Sequence, residues 1–132
     1  MRRRLILWLA AGLLVFLVDL GTKAAPHDRV AHNAAHTPAI VFLGVAAFLF
    51  AVALWHSNLI AVGAGLMFGA LCGNAGELLV LGYATDWIPL GGWLTNVADL
   101  AGAAGFICCV AGYIRQLTAG KMGSGVRRLR PR

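Results

Sequence analysis

The sequence predicts an all-α integral membrane protein: a four-transmembrane-helix bundle with both termini in the cytoplasm and short outer loops. Three observations predict it. First, 60% of the 132 residues are hydrophobic and only 12% are charged, about half the roughly 25% charge of a soluble domain. The mean hydropathy is +0.79. A single small domain cannot hide that much apolar surface in its own core, which excludes a soluble globular enzyme, and the same composition excludes disorder. Second, four apolar stretches approach the roughly 20 residues needed to cross a bilayer. Third, nine of the 11 basic residues lie outside these stretches at the two chain ends.

The spans are expected at about 5–20, 39–55, 59–81 and 94–114, within a membrane domain of residues 1–117. Without water in the hydrocarbon, each segment must satisfy its own backbone groups, so each is helical. Arg2, Arg3 and Arg4 precede the first span, in the manner of a retained start rather than a cleaved signal peptide, since Lys23 spoils a small-x-small cut after Ala25. His56, Ser57 and Asn58 leave room only for a tight turn between the second and third spans. Arg115, Lys121, Arg127, Arg128, Arg130 and Arg132 follow the last span. Arginine at both ends requires an even number of crossings with both ends on the positive side. Residues 118–132 read as a basic, disordered cytoplasmic tail. Its charges are not interleaved with aromatic residues, so the expected partner is the lipid bilayer and not nucleic acid.

On this topology the carboxylates carry the information. Asp19 ends the first span. Glu77 lies 18 residues into the third, about 27 Å up at 1.5 Å per residue. Asp86 falls in the following outer loop, and Asp99 lies just inside the fourth span as it re-enters. Four acids thus share one outer level, with Asp28 apart in the first outer loop. Carboxylates at such depth face protein or a polar cavity. Two close carboxylates in a low-dielectric site share a proton, so one can take a proton from water while the other donates to a carbonyl. That is aspartic-peptidase chemistry, and it needs no serine or cysteine nucleophile. Asp19 and Lys23 are also spaced for an i,i+4 ion pair.

Other residues read more simply. Cys72, Cys108 and Cys109 lie in apolar runs and read as packing residues. His27, His32 and His36 would form a metal site only on a helix, and read as loop histidines with no metal or other cofactor assigned. Trp8, Trp55, Trp87 and Trp93 read as interface anchors, with Trp87 and Trp93, beside the acidic level, as candidates to line a substrate entrance.

Four short motifs run in register with these spans. They are Val18-Asp19-Leu20-Gly21-Thr22-Lys23, Gly69-Ala70-Leu71-Cys72-Gly73-Asn74, Gly82-Tyr83-Ala84-Thr85-Asp86-Trp87-Ile88, and Asn96-Val97-Ala98-Asp99 with Gly105 beyond. Together they resemble the motifs of the lipoprotein signal peptidases (signal peptidase II), four-span membrane aspartic peptidases of the bacterial plasma (inner) membrane. The resemblance covers about residues 5–114. It implies removal of signal peptides from lipid-modified prolipoproteins at a site facing the outer side. It places the catalytic pair on Glu77 and Asp99, with Asp19, Lys23, Asn74, Asp86 and Asn96 holding that pair. This chain has Glu77 where the family has aspartate and Leu78 where it has arginine. Its first outer loop is short, with Asn33-Ala34-Ala35 against the family's N-x-G-A-A. Two other classes remain open: a catalytically inactive relative that binds lipidated peptides or a membrane partner, and an ion or proton carrier. The oligomeric state is not legible.

Overall fold

The structure, a computed structural model, describes residues 1–33, 45–46, 48–49 and 57–127. Three helices among these residues are long and apolar enough to cross a membrane: Arg2–Lys23, Asn58–Leu81 and Val97–Ala119. They are labelled α1 (Arg2–Lys23), α2 (Asn58–Leu81) and α3 (Val97–Arg127). They are the expected first, third and fourth spans. The expected second span, 39–55, lies outside the described residues apart from four helical positions at 45, 46, 48 and 49, and so does His36. The protein is a membrane protein with a mostly helical fold.

Helix boundaries follow local chemistry. Ser57 caps α2 by accepting a hydrogen bond from the Ile60 N–H at 3.3 Å. Gly82, with φ +81°, closes α2 in the left-handed conformation, its N–H reaching the Leu78 carbonyl at 3.0 Å. The fourth span was expected from residue 94, but α3 begins at Val97 because Asn96 caps it. The Asn96 Oδ1 accepts from the Asp99 N–H at 2.9 Å. At its other end α3 runs past the expected 114 to Arg127.

The expectation of an all-α chain needs correction at the end of the bundle where α2 stops and α3 starts. Four strands form there among the described residues: β1 (Ala31–Asn33), β2 (Ala84–Asp86), β3 (Ile88–Leu90) and β4 (Trp93–Thr95). β1 pairs antiparallel with β2, with Ala31 opposite Asp86, and β3 pairs antiparallel with β4 as a hairpin. Three-residue strands leave almost no periodic trace in a sequence. They form because backbone groups close to the hydrocarbon need partners that water supplies only in part.

Packing of the helices rests on glycine. Gly65, Gly69 and Gly73 recur every four residues along one face of α2, against Trp8, Gly12 and Asp19 of α1. On another face, a Cβ at Gly63 would sit 2.6 Å from the Gly105 carbonyl oxygen of α3, and one at Gly105 would sit 2.5 Å from that of Gly63. The backbones touch, which is how membrane helices gain dispersion energy without a hydrophobic driving force. Gly105→Leu is therefore expected to lower stability by about 1–3 kcal/mol through overpacking, read as an earlier thermal transition in detergent. Trp8 is buried against Phe68, with ring centroids 4.5 Å apart, in a core with Leu49, Ala61 and Ala64. It is a core residue and not the interface anchor expected. Cys109, expected as a packing residue, sits beside Gly63, its thiol 3.8 Å from the Ile60 carbonyl.

Candidate active site

One end of the bundle is organised around Lys23, whose side chain is 6% exposed. An ammonium has three donors and no acceptor, and all three are used. They reach Asp19 Oδ2 at 2.9 Å, Glu77 Oε2 at 2.9 Å and Asn74 Oδ1 at 2.8 Å. The expected i,i+4 pair of Asp19 and Lys23 is present. Asp19 also accepts the Ala98 N–H at 2.9 Å through Oδ1, so α1 caps the first turn of α3 from across the bundle.

The orientation of Asn74 follows from Lys23. Its Oδ1 faces the ammonium, so its Nδ2 must face away, and it donates to Asp99 Oδ1 at 2.8 Å. The other Asp99 oxygen accepts from Thr95 Oγ at 3.1 Å. Asp99 lies in the first turn of α3, where the helix dipole favours a negative charge. Asn96 is fully buried and is oriented in the same way. Its Oδ1 is occupied by the Asp99 N–H, so its Nδ2 points at Asp86 Oδ1, 2.5 Å away. The second Asp86 oxygen accepts from Asn33 Nδ2 of β1.

Glu77 was expected to pair with Asp99. The structure puts it elsewhere. Its Oε2 accepts the Thr85 N–H at 2.9 Å and the Lys23 ammonium, and its Oε1 accepts the Thr85 hydroxyl. Glu77 is linked to Asp99 through Lys23 and Asn74 on one side and through Thr85 and Asn96 on the other. The longer glutamate arm spans from α2 to β2 and fixes the residue next to Asp86. The carboxylate that shares a cavity with Asp99 is Asp86, expected only to support the pair. Asp86 and Asp99 line one cavity of about 420 Å³ with Asn33, Leu90, Trp93 and Thr95. Asp86 is 4% exposed, and Asp99 stands at the mouth. Burial first, and then the negative charge of Asp99, push the Asp86 carboxyl above its ordinary range, against its two amide donors and Lys23. Each Asp86 oxygen keeps one lone pair free of these amides, room enough for a proton or a water.

The raised pKa makes a stability prediction. Unfolded aspartate titrates near about 3.9. Between that value and the higher folded one, the folded protein binds more protons than the unfolded chain. The stabilisation is complete below the unfolded pKa and is lost as pH rises through the folded one. Asp86→Asn, which removes the ionisation, is thus expected to raise the thermal midpoint relative to the unmodified protein more at pH 7 than at pH 4. An equal shift at both would show that Asp86 carries no such penalty.

The remaining expected residues divide. Trp93 is on the cavity wall. Trp87 is not: it stacks on His27, with centroids 4.0 Å apart and planes 8° apart, beside a second cavity lined by Asp28, Arg29 and Pro89. The His27 ring nitrogen Nε2 is 2.7 Å from the Thr22 carbonyl. His32 lies in strand β1 and packs on Tyr83 at 4.3 Å, so His27 and His32 do not share a helix. Sequence reasoning gave no role to Thr85 and Thr95. Thr85 sits in a quoted motif, and Thr95 lies four residues before Asp99, but neither spacing announces a partner.

No family model and no curated protein matches this chain. Solved structures do. One, described as a bacterial membrane enzyme determined by the in meso method at 2.3 Å, superposes with a TM-score of 0.71 at 16% identity, covering 85% of this chain and 90% of that one. Another, with the same description at 1.9 Å, gives 0.66 at 14% identity, covering 79% of this chain and 90% of that one. At these identities the likeness is one of fold.

Proposed function

We propose that this protein is a membrane aspartic endopeptidase of the signal peptidase II type, and that Asp86 and Asp99 are its catalytic dyad. The observation that carries the reading is the convergence of these two carboxylates on one cavity at the end of the bundle, each held by amide donors whose direction is fixed elsewhere. A water between them loses a proton to the ionised carboxylate as it attacks the peptide carbonyl. The carboxyl that keeps its proton donates to the carbonyl oxygen, and the tetrahedral intermediate then collapses as the leaving nitrogen is protonated. Burial favours the protonated form of Asp86. Asn74 and Asn96 hold the pair in place, and Glu77 positions Asp86 through Thr85.

The four sequence motifs and the fold shared with bacterial membrane enzymes favour lipid-modified prolipoproteins as the substrates, cleaved on the outer side of the plasma membrane. The test is processing of a lipidated prolipoprotein by the purified protein in proteoliposomes. Cleavage that is lost in Asp99→Asn supports the reading. Substrate binding without turnover supports an inactive relative instead. Glu77→Gln is expected to slow turnover by about 10- to 100-fold, since a displacement on the order of 1 Å at the reacting groups costs that much. Glu77→Asp, which on the sequence mapping preserves or raises turnover, is expected to lower it too, because the shorter arm no longer spans to Thr85.

A further inference from the structure

We propose that the β3–β4 hairpin is a membrane-inserted element, with Leu90 and Trp93 seated in the lipid leaflet that borders the Asp86–Asp99 cavity. The two residues face each other across the ladder and are joined by Gly91, at φ +63°, and Gly92. Leu90 is 60% exposed and Trp93 81%. The whole segment, Ile88-Pro89-Leu90-Gly91-Gly92-Trp93-Leu94-Thr95, carries no ionisable side chain. In water, a tip of this kind would leave its two largest apolar groups in solvent.

Continuity with the lipid-facing surface selects the bilayer as the partner. Val80 and Leu81 at the end of α2, and Leu100 in the first turn of α3, are exposed apolar residues of the spans on either side. The hairpin therefore begins and ends close to the membrane boundary. Its ladder pairs much of its backbone internally, and Pro89 lacks an N–H, so immersion leaves few backbone donors unpaired. Tryptophan is the side chain that best suits this depth, apolar in body and polar at one edge. Because Leu90 and Trp93 also wall the dyad cavity, insertion turns the cavity mouth toward the lipid. On the peptidase reading, a scissile bond tied to a lipid anchor then arrives from within the bilayer.

The experiment reads insertion without reference to turnover, so its outcome is independent of the peptidase reading. The full-length protein is reconstituted in vesicles of lipids brominated near the head group or near the chain ends, and tryptophan emission is compared between the unmodified protein and Trp93→Phe. A component quenched best by the bromines near the head group, lost in Trp93→Phe and restored by Leu90→Trp in that background, is the expected result. Equal quenching of both proteins, or a Trp93 component quenched by aqueous iodide and not by brominated lipid, overturns the proposal.

Discussion

Asp86→Asn and Asp99→Asn are each expected to lower cleavage of a lipidated prolipoprotein by about 10²- to 10⁴-fold, the range for loss of a general acid or base. The effect should fall on kcat, because neither carboxyl is needed to hold a substrate by its apolar part. Stability should not fall in parallel. Asp86 is buried and is pushed by the charge of Asp99, so its neutral replacement is tolerated or favoured by the fold. Loss of activity together with a retained or raised thermal midpoint marks a group kept for chemistry at a cost to stability. The comparison with Glu77 is decisive. If Glu77→Gln proved as damaging as Asp99→Asn while Asp86→Asn still turned over, the dyad would be Glu77 and Asp99, as the motif mapping has it.

Lys23→Met is expected to be the most destabilising single change at the site, by about 3–5 kcal/mol, the usual cost of removing one partner from a buried ion pair. Asp19, 1% exposed, and Glu77, 13% exposed, would both lose their cation. Asn74 would also lose the donor that orients it, so its amide could turn and present oxygen to Asp99. The loss should therefore appear both in the thermal transition and in turnover. Adding Asp19→Asn or Glu77→Gln to Lys23→Met should recover part of the stability, since each removes one unpaired charge. Activity should not recover with it, because Asn74 remains without its anchor. A Lys23→Met protein with unchanged melting and turnover would mean that the ammonium does not organise this end of the bundle.

The placement of polar residues was legible to the extent that it was local. Asp19 and Lys23 pair because four residues make one turn of α1, and the sequence shows that spacing directly. The apolar stretches place the three described helices, and helical rise puts Asp19, Glu77 and Asp99 toward one end of them. The strands did not show, because three residues carry too short an alternation to be distinguished from a loop. The start of α3 was misjudged by three residues for a related reason: Leu94 and Thr95 are as apolar or small as a helix requires, and only their pairing with β3 and the cap by Asn96 exclude them.

What the sequence determined by itself is therefore a membrane protein with carboxylates gathered near one face. Hydropathy and helical rise are properties of the chain taken one segment at a time. Which carboxylate shares a cavity with Asp99 is visible only in the tertiary structure. Glu77 and Asp86 are both near the right depth, and the choice between them depends on reach and on partners distant in the chain. Lys23, 54 residues from Glu77, draws its carboxylate aside, and Asn33, 53 residues from Asp86, clamps that one at the cavity. A spacing rule holds no information about such pairings, because they exist only once α1, β1 and β2 have been brought together by packing.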